Sequence, residues 1–124
     1  MSPRYETADL ELLRDAEEVE IETWADAAGA RHRTIIWVVV DARERVLIRS
    51  YRGPDARWYR EITTHPDARI HVQGRVLPVR AVPAADADRV TSCSEGLRQK
   101  YAGHASMPAM LRHHVETTLE LVAR

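Results

Sequence analysis

Arg45–Pro66, RVLIRSYRGPDARWYREITTHP, is the stretch on which the fold turns. Val46 to Ser50 reads as a strand, Gly53-Pro54 closes a short loop, and a helix of about two and a half turns follows. Pro54 suits the first helical position, where its missing N–H would be unpaired in any case. Asp55 complements the positive end of the helix dipole, and Pro66 pushes His65 out of the α region, so the helix stops there. Arg49, Arg52 and Arg57 flank the helix start together with Ser50 and the Gly53 backbone. Guanidinium forks and unpaired helix N–H groups both match phosphate geometry, so the cluster reads either as an anion cradle or as a solvated basic turn.

Upstream, Thr7–Ala16 carries Leu10 and Leu13 at helical spacing with Thr7 as a cap, which predicts a short amphipathic helix. Glu18–Trp24 alternates strictly, with Val19, Ile21 and Thr23 on one face and Glu18, Glu20 and Glu22 on the other. That is a half-buried strand, whose glutamates form a solvated face that discourages edge pairing. After a turn at 25–30, Arg31–Val40 runs into IIWVVV and reads as a strand buried at least partly on both faces, with Trp37 in the core. Arg45–Tyr51 then returns as the third strand of an expected antiparallel meander.

Downstream, 67–72 and 75–82 alternate around Gln73-Gly74, a hairpin signal, with Pro78 demoting the second segment to an edge or a bulge. Residues 84–101 place Val90, Cys93, Leu97 and Tyr101 at helical spacing, although Gly96 costs about 1 kcal/mol in a helix interior. Gly103 stops that helix, a further turn spans 107–111, and 115–122 forms a closing strand. The sum is one α+β, mainly β, domain over 1–124. Its N-terminal helix spans 1–16, five strands and an inserted helix occupy 17–82, another helix 84–103, and the sixth strand 115–122.

Composition bounds the function. Apolar residues make up 44% and charged residues 30%, with a net charge of −1, an ordinary globular balance that gives no general pull toward nucleic acid or anionic membrane. The glutamate face of the first strand also opposes a nucleic-acid surface. The single cysteine, Cys93, excludes an internal disulfide framework and fits a reducing cytoplasm; on the apolar stripe of its helix it reads as an inert small hydrophobe. The N-terminal residues are acidic and polar rather than basic then apolar, so no signal peptide is expected, and the longest apolar run is too short to span a bilayer. His32, His65 and His71 read as surface or satisfied polar positions. His104, His113 and His114 lack the His-Glu-x-x-His spacing, so no metal site is expected. Nucleophile-elbow, P-loop and dinucleotide glycine signatures are absent, and a catalyst of this kind would rely on a bound cofactor.

Ser50, Arg52, Gly53, Trp58 and Tyr59, followed by a β-hairpin, resemble the FMN-binding split β-barrel proteins, and within them the deazaflavin-dependent nitroreductases. The sequence is more closely similar to an uncharacterised bacterial family, the domain of unknown function 2255. It shares Arg49-Ser50, Gly53, Trp58-Tyr59-Arg60, Lys100-Tyr101 and the closing Thr118–Leu121 with that family. The resemblance spans most of 17–124. It implies a six-stranded antiparallel split barrel with three or four flanking helices, a homodimer, and FMN or a deazaflavin coenzyme. Arg49, Ser50, Arg52, Arg57 and the Gly53 N–H would hold the cofactor's phosphate, and Trp58 would lie beneath the ring or seal the barrel. Tyr51, Tyr101 and His104 are the candidates for substrate contact or proton delivery. The nitroreductase pattern has a lysine where Tyr51 stands and a longer N-terminal arm. The implied activity is hydride transfer to a small organic molecule; the alternative is a cofactor-free split barrel that binds a small ligand.

Overall fold

The computed structural model describes residues 3–124. Seven strands, β1 (Val19–Thr23), β2 (His32–Ile36), β3 (Val39–Val40), β4 (Val46–Ile48), β5 (Asp67–Val72), β6 (Arg75–Pro83) and β7 (Leu119–Ala123), form one sheet in the order β2-β1-β5-β6-β7-β4-β3. Every pairing is antiparallel. Four helices flank it: α1 (Thr7–Asp15), α2 (Arg57–Thr64), α3 (Ala87–Lys100) and α4 (Met107–Arg112).

The shape follows from one connection. β2 and β3 are the two edges of the sheet, yet only Trp37-Val38 separates them in the chain. Three Cα steps reach about 11 Å, whereas seven strands laid flat would hold their edges about 29 Å apart. The sheet must therefore curl into an open half-barrel. The apolar run expected as one strand is thus two, which makes seven strands where six were counted. The expected meander is divided at the same point: 31–40 pairs antiparallel with both of its neighbours, β2 with β1 and β3 with β4, but the two hairpins lie at opposite edges of the sheet.

The curl encloses the main core, with Val19, Ile21, Val38, Val46, Ile48, Ile70, Val79 and Leu121 inside, capped by Leu10 and Leu13 of α1 and Ile62 of α2. A second core lies on the outer face, where α3 and α4 cover Val39 and Leu47 with Cys93, Leu97, Tyr101 and Met110. β4 is buried on both faces as its unbroken apolar run requires, each side chain contributing roughly 2 kcal/mol. Gly96 sits where α3 crosses β3, and a Cβ there would meet Val39 Cγ1 at 2.1 Å. Close approach, not flexibility, accounts for that glycine.

Local differences have local causes. Glu6, not Thr7, precedes the first turn of α1, and its side chain makes no cap. Glu22 is buried rather than solvated, held between His71 Nε2 at 2.5 Å and Arg69, because β1 lies between two partners. The hairpin turns at Gln73-Gly74 as expected, both at positive φ. Pro78 lies on an interior strand, at the end of the β6–β7 ladder; Arg124 N donates to Pro78 O, and only the reciprocal bond, which proline cannot make, is missing there. A 3₁₀ turn at Val115–Thr117 takes the first residues expected in the closing strand.

Candidate functional site

After β4 the chain makes a tight loop rather than entering a helix directly. Gly53–Asp55 is a 3₁₀ turn with Pro54 inside it, Ala56 is extended, and α2 begins at Arg57, three residues later than the proline suggested. Ser50 and Gly53 build this loop. The Ser50 hydroxyl donates to Gly53 O (2.7 Å), and the Gly53 N–H returns to Ser50 O (3.1 Å). The Ser50 N–H donates to Thr117 Oγ1 (3.0 Å). Gly53 has φ +72°, and a Cβ would fall 2.4 Å from His114 Nδ1, so both its conformation and its packing require glycine.

Arg49 is 2% exposed. Its Nε donates to Thr118 Oγ1 (2.9 Å), Nη1 to Met110 O (2.8 Å) and Ser94 Oγ (3.1 Å), and Nη2 to Val90 O (3.2 Å). One guanidinium thereby ties β4 to α3, α4 and the entry to β7. All four acceptors are neutral, and no carboxylate of the described residues lies within 4.0 Å. Four of its five N–H donors are engaged, but its charge is not cancelled.

Arg52 and Arg57 differ. Both are exposed, and among the described residues neither side chain makes a hydrogen bond or ion pair. Both line a half-open cavity of about 740 Å³, together with Arg49, Tyr51, Trp58, Trp37, the Thr34–Ile36 segment of β2, Glu18, Ala56, Ser106 and Met110. Trp58 is buried in the main core and meets Tyr59 edge-on (5.9 Å) while forming part of the wall. Tyr51 and Ile35 are 57% and 61% exposed, two of the few large apolar side chains left open.

The cavity gathers Arg49, Tyr51, Arg52, Arg57 and Trp58 of the residues singled out from sequence; Ser50 and Gly53 stand behind the loop. Tyr101 and His104 lie elsewhere. Tyr101 is fully buried, stacked on Trp37 (4.1 Å, 5°); its hydroxyl accepts from Val38 N–H (3.1 Å) and donates to Glu17 O (2.6 Å). Burial pushes its phenol up to about 12. His104 packs edge-on against Trp37 (5.2 Å) and pairs with Glu17 (2.9 Å). With Lys100 Nζ, which donates to Leu13 O (2.8 Å) and Val38 O (2.9 Å), Tyr101 clamps the Trp37-Val38 crossing that joins the sheet edges. That clamp gives the Lys100-Tyr101 pair a structural role. The thiol of Cys93 is buried under α3 and pushed up by burial to about 11.

Sequence reasoning missed Glu18, Thr34, Ile35 and Met110 as cavity lining, since each lies on an element assigned to solvent or core. Nothing in the sequence marks Ile35, which is exposed beside the buried Ile36, Val38 and Val39. Among the described residues, no group of three or more His, Cys, Asp or Glu side chains is placed to hold a metal ion, and no helix is long and apolar enough to cross a membrane.

Curled antiparallel sheet, flanking helices and a cavity beside the β4–α2 loop define a split β-barrel domain. The chain belongs to a bacterial family described as uncharacterised proteins conserved in bacteria (DUF2255), matched over residues 9–121. No curated protein matches it. Among solved structures it is similar to a putative 5-nitroimidazole antibiotic resistance protein from Bacteroides thetaiotaomicron (TM-score 0.65, 9% identity, 99% of this chain and 82% of that one). It is similar also to an F420-H2-dependent reductase (0.62, 15%, 86% and 93%) and to the heme storage protein HutZ from Vibrio cholerae (0.66, 14%, 98% and 92%). At such identities these likenesses establish the fold.

Proposed function

We propose that this protein is a flavin- or deazaflavin-binding oxidoreductase that works as a homodimer in the cytoplasm and passes hydride to a small organic molecule. The observation that carries this reading is the pair of unengaged guanidiniums, Arg52 and Arg57, on a cavity of about 740 Å³. That volume lies within the roughly 300–1,000 Å³ of small-molecule and cofactor sites. The residues present fit a phosphate-bearing aromatic cofactor. Arg52 and Arg57 offer free forks to a phosphate, Arg49 adds uncancelled positive charge from below, and Trp58 and Trp37 give apolar wall. FMN or a deazaflavin, when bound, supplies the hydride chemistry. The chain's own part is to anchor the phosphate at Arg52 and Arg57, to hold the loop through Ser50 and Gly53, and to exclude water with its aromatic walls. Tyr51, on the cavity rim, is the residue left for substrate contact. Its neighbour on the cavity, Ile35, would be covered by a second copy.

A second reading, a cofactor-free protein that binds a small ligand, draws support from Arg49, Ser50 and Gly53, whose donors are engaged by the protein itself. Titration of purified protein with FMN and with the deazaflavin coenzyme, followed by ligand fluorescence, separates the two. Quenching that weakens in Arg52→Ala/Arg57→Ala, with an unchanged circular dichroism spectrum, supports the redox reading. If neither coenzyme binds, that reading fails.

A further inference from the structure

The cavity is not uniformly basic. Glu18, the residue before β1, lines it as well; its side chain is exposed and, among the described residues, enters no hydrogen bond or ion pair. Neither Arg52 nor Arg57 comes within 4.0 Å of its carboxylate, so the cavity holds unpaired charges of both signs that do not neutralise each other. Val19 pairs with Ile36, so Glu18 falls opposite Trp37 at the end of the β1–β2 ladder, whereas the arginines flank the loop before α2. Trp37, stacked on Tyr101 by one face, lines the same cavity. A ligand covering Glu18 without compensating it would desolvate a lone charge, which is costly; a protonated amine there gains an ion pair and an aromatic neighbour.

We propose that Glu18 is the specificity-determining residue of this cavity, and that the substrate is a compact aromatic bearing a cationic amine rather than a carboxylate or a neutral group. The assignment of the opposite pole to a cofactor phosphate rests on the redox reading above; the amine preference at Glu18 is testable without it. No structural bond depends on Glu18, so Glu18→Gln folds as the parent does.

The test uses Trp37 and Trp58 as reporters, quenched by 4-nitrobenzylamine or by its uncharged analogue 4-nitrobenzyl alcohol, at pH 7 and low salt. The amine should bind about fivefold tighter than the alcohol, the scale of one partly screened ion pair. Glu18→Gln should bring the two within about twofold, while Glu20→Gln, which loses only the outward pair with Arg33, should keep the preference. Equal binding by the parent protein, a preference that survives Glu18→Gln, or no binding of either probe overturns the proposal. Coenzyme titration of the same samples keeps the readings apart. Coenzyme binding without an amine preference sinks only the Glu18 assignment, and an amine preference without coenzyme binding sinks only the redox reading.

Discussion

Arg49 and Arg52 stand at the two ends of one short loop and have opposite surroundings. Arg49 is sunk among α3, α4 and the approach to β7, with four neutral oxygens around its guanidinium. Arg52, like Arg57, lies open on the cavity with no protein partner among the described residues. The same type of side chain therefore has two settings: inside, it braces elements far apart in sequence, and outside, its donors face the open cavity. Lys100 belongs with the inner set, since its ammonium is also held by carbonyls, Leu13 O and Val38 O. The sheltered cations of this molecule brace the fold, whereas Arg52 and Arg57 are exposed cations that line the cavity.

Removing the two kinds of arginine is the strongest way to break that contrast. Arg49→Ala leaves two carbonyls and two hydroxyls without their donor, and should cost about 3 kcal/mol in urea unfolding. Arg49→Lys should recover little, because one ammonium cannot reach all four acceptors. Arg52→Ala and Arg57→Ala should each move stability by less than about 0.5 kcal/mol, as exposed positions do. In coenzyme titrations the order reverses, with a loss of about tenfold in affinity for each exposed guanidinium removed. Equal stability losses at all three positions would erase the distinction.

The turn that separates the two arginines is the next point of attack. Gly53→Ala forces a Cβ to 2.4 Å from His114 Nδ1 and a side chain into φ +72°, for a cost of about 2 kcal/mol. Adding His114→Ala should relieve the clash but not the backbone, recovering roughly half of that loss. Thermal melts of the single and double variants check this. Full recovery would mean that packing alone, and not the left-handed conformation, requires glycine here.

Much of the barrel was legible because it rests on local rules. The alternation of β1, the Gln73-Gly74 turn and the apolar stripe of α3 each declare themselves within a few residues, whereas burial on both faces, expected of 31–40, belongs to β4 instead. What was not legible is long-range. Nothing local in IIWVVV says that the chain leaves one edge at Ile36 and joins the other at Val39; only closure of the sheet decides it. The arginines show the same limit. Their types pointed to phosphate at all three positions, but which of them keeps free donors depends on Thr118, Met110 and Val90, all more than forty residues away in the chain. Tyr101 and His104 read as chemical from sequence because their partners, Glu17 and Val38, lie far along the chain; those partners make them a clamp.

Lys100 gives the smallest effect and the sharpest test of the inner set. Burial among carbonyls lowers its amine from 10.5 to about 8, opposed weakly by Asp15. The sign follows from proton counting. Above about 8 the folded chain has released a proton that the unfolded chain keeps until about 10.5, so stability from this group rises with pH across that window. Two buried acids act the other way. Cys93, raised from 9.0 to about 11, and Tyr101, raised from 10.0 to about 12, favour the folded state below their unfolded values and lose that contribution as pH climbs. The lysine is therefore visible alone only between about pH 7.5 and 9. Urea unfolding across that range should show the parent protein gaining stability relative to Lys100→Met, which keeps the length of the side chain but not its titration. A difference that stays flat with pH would mean that the ammonium, even beside two carbonyls, is as well solvated in the folded protein as in water.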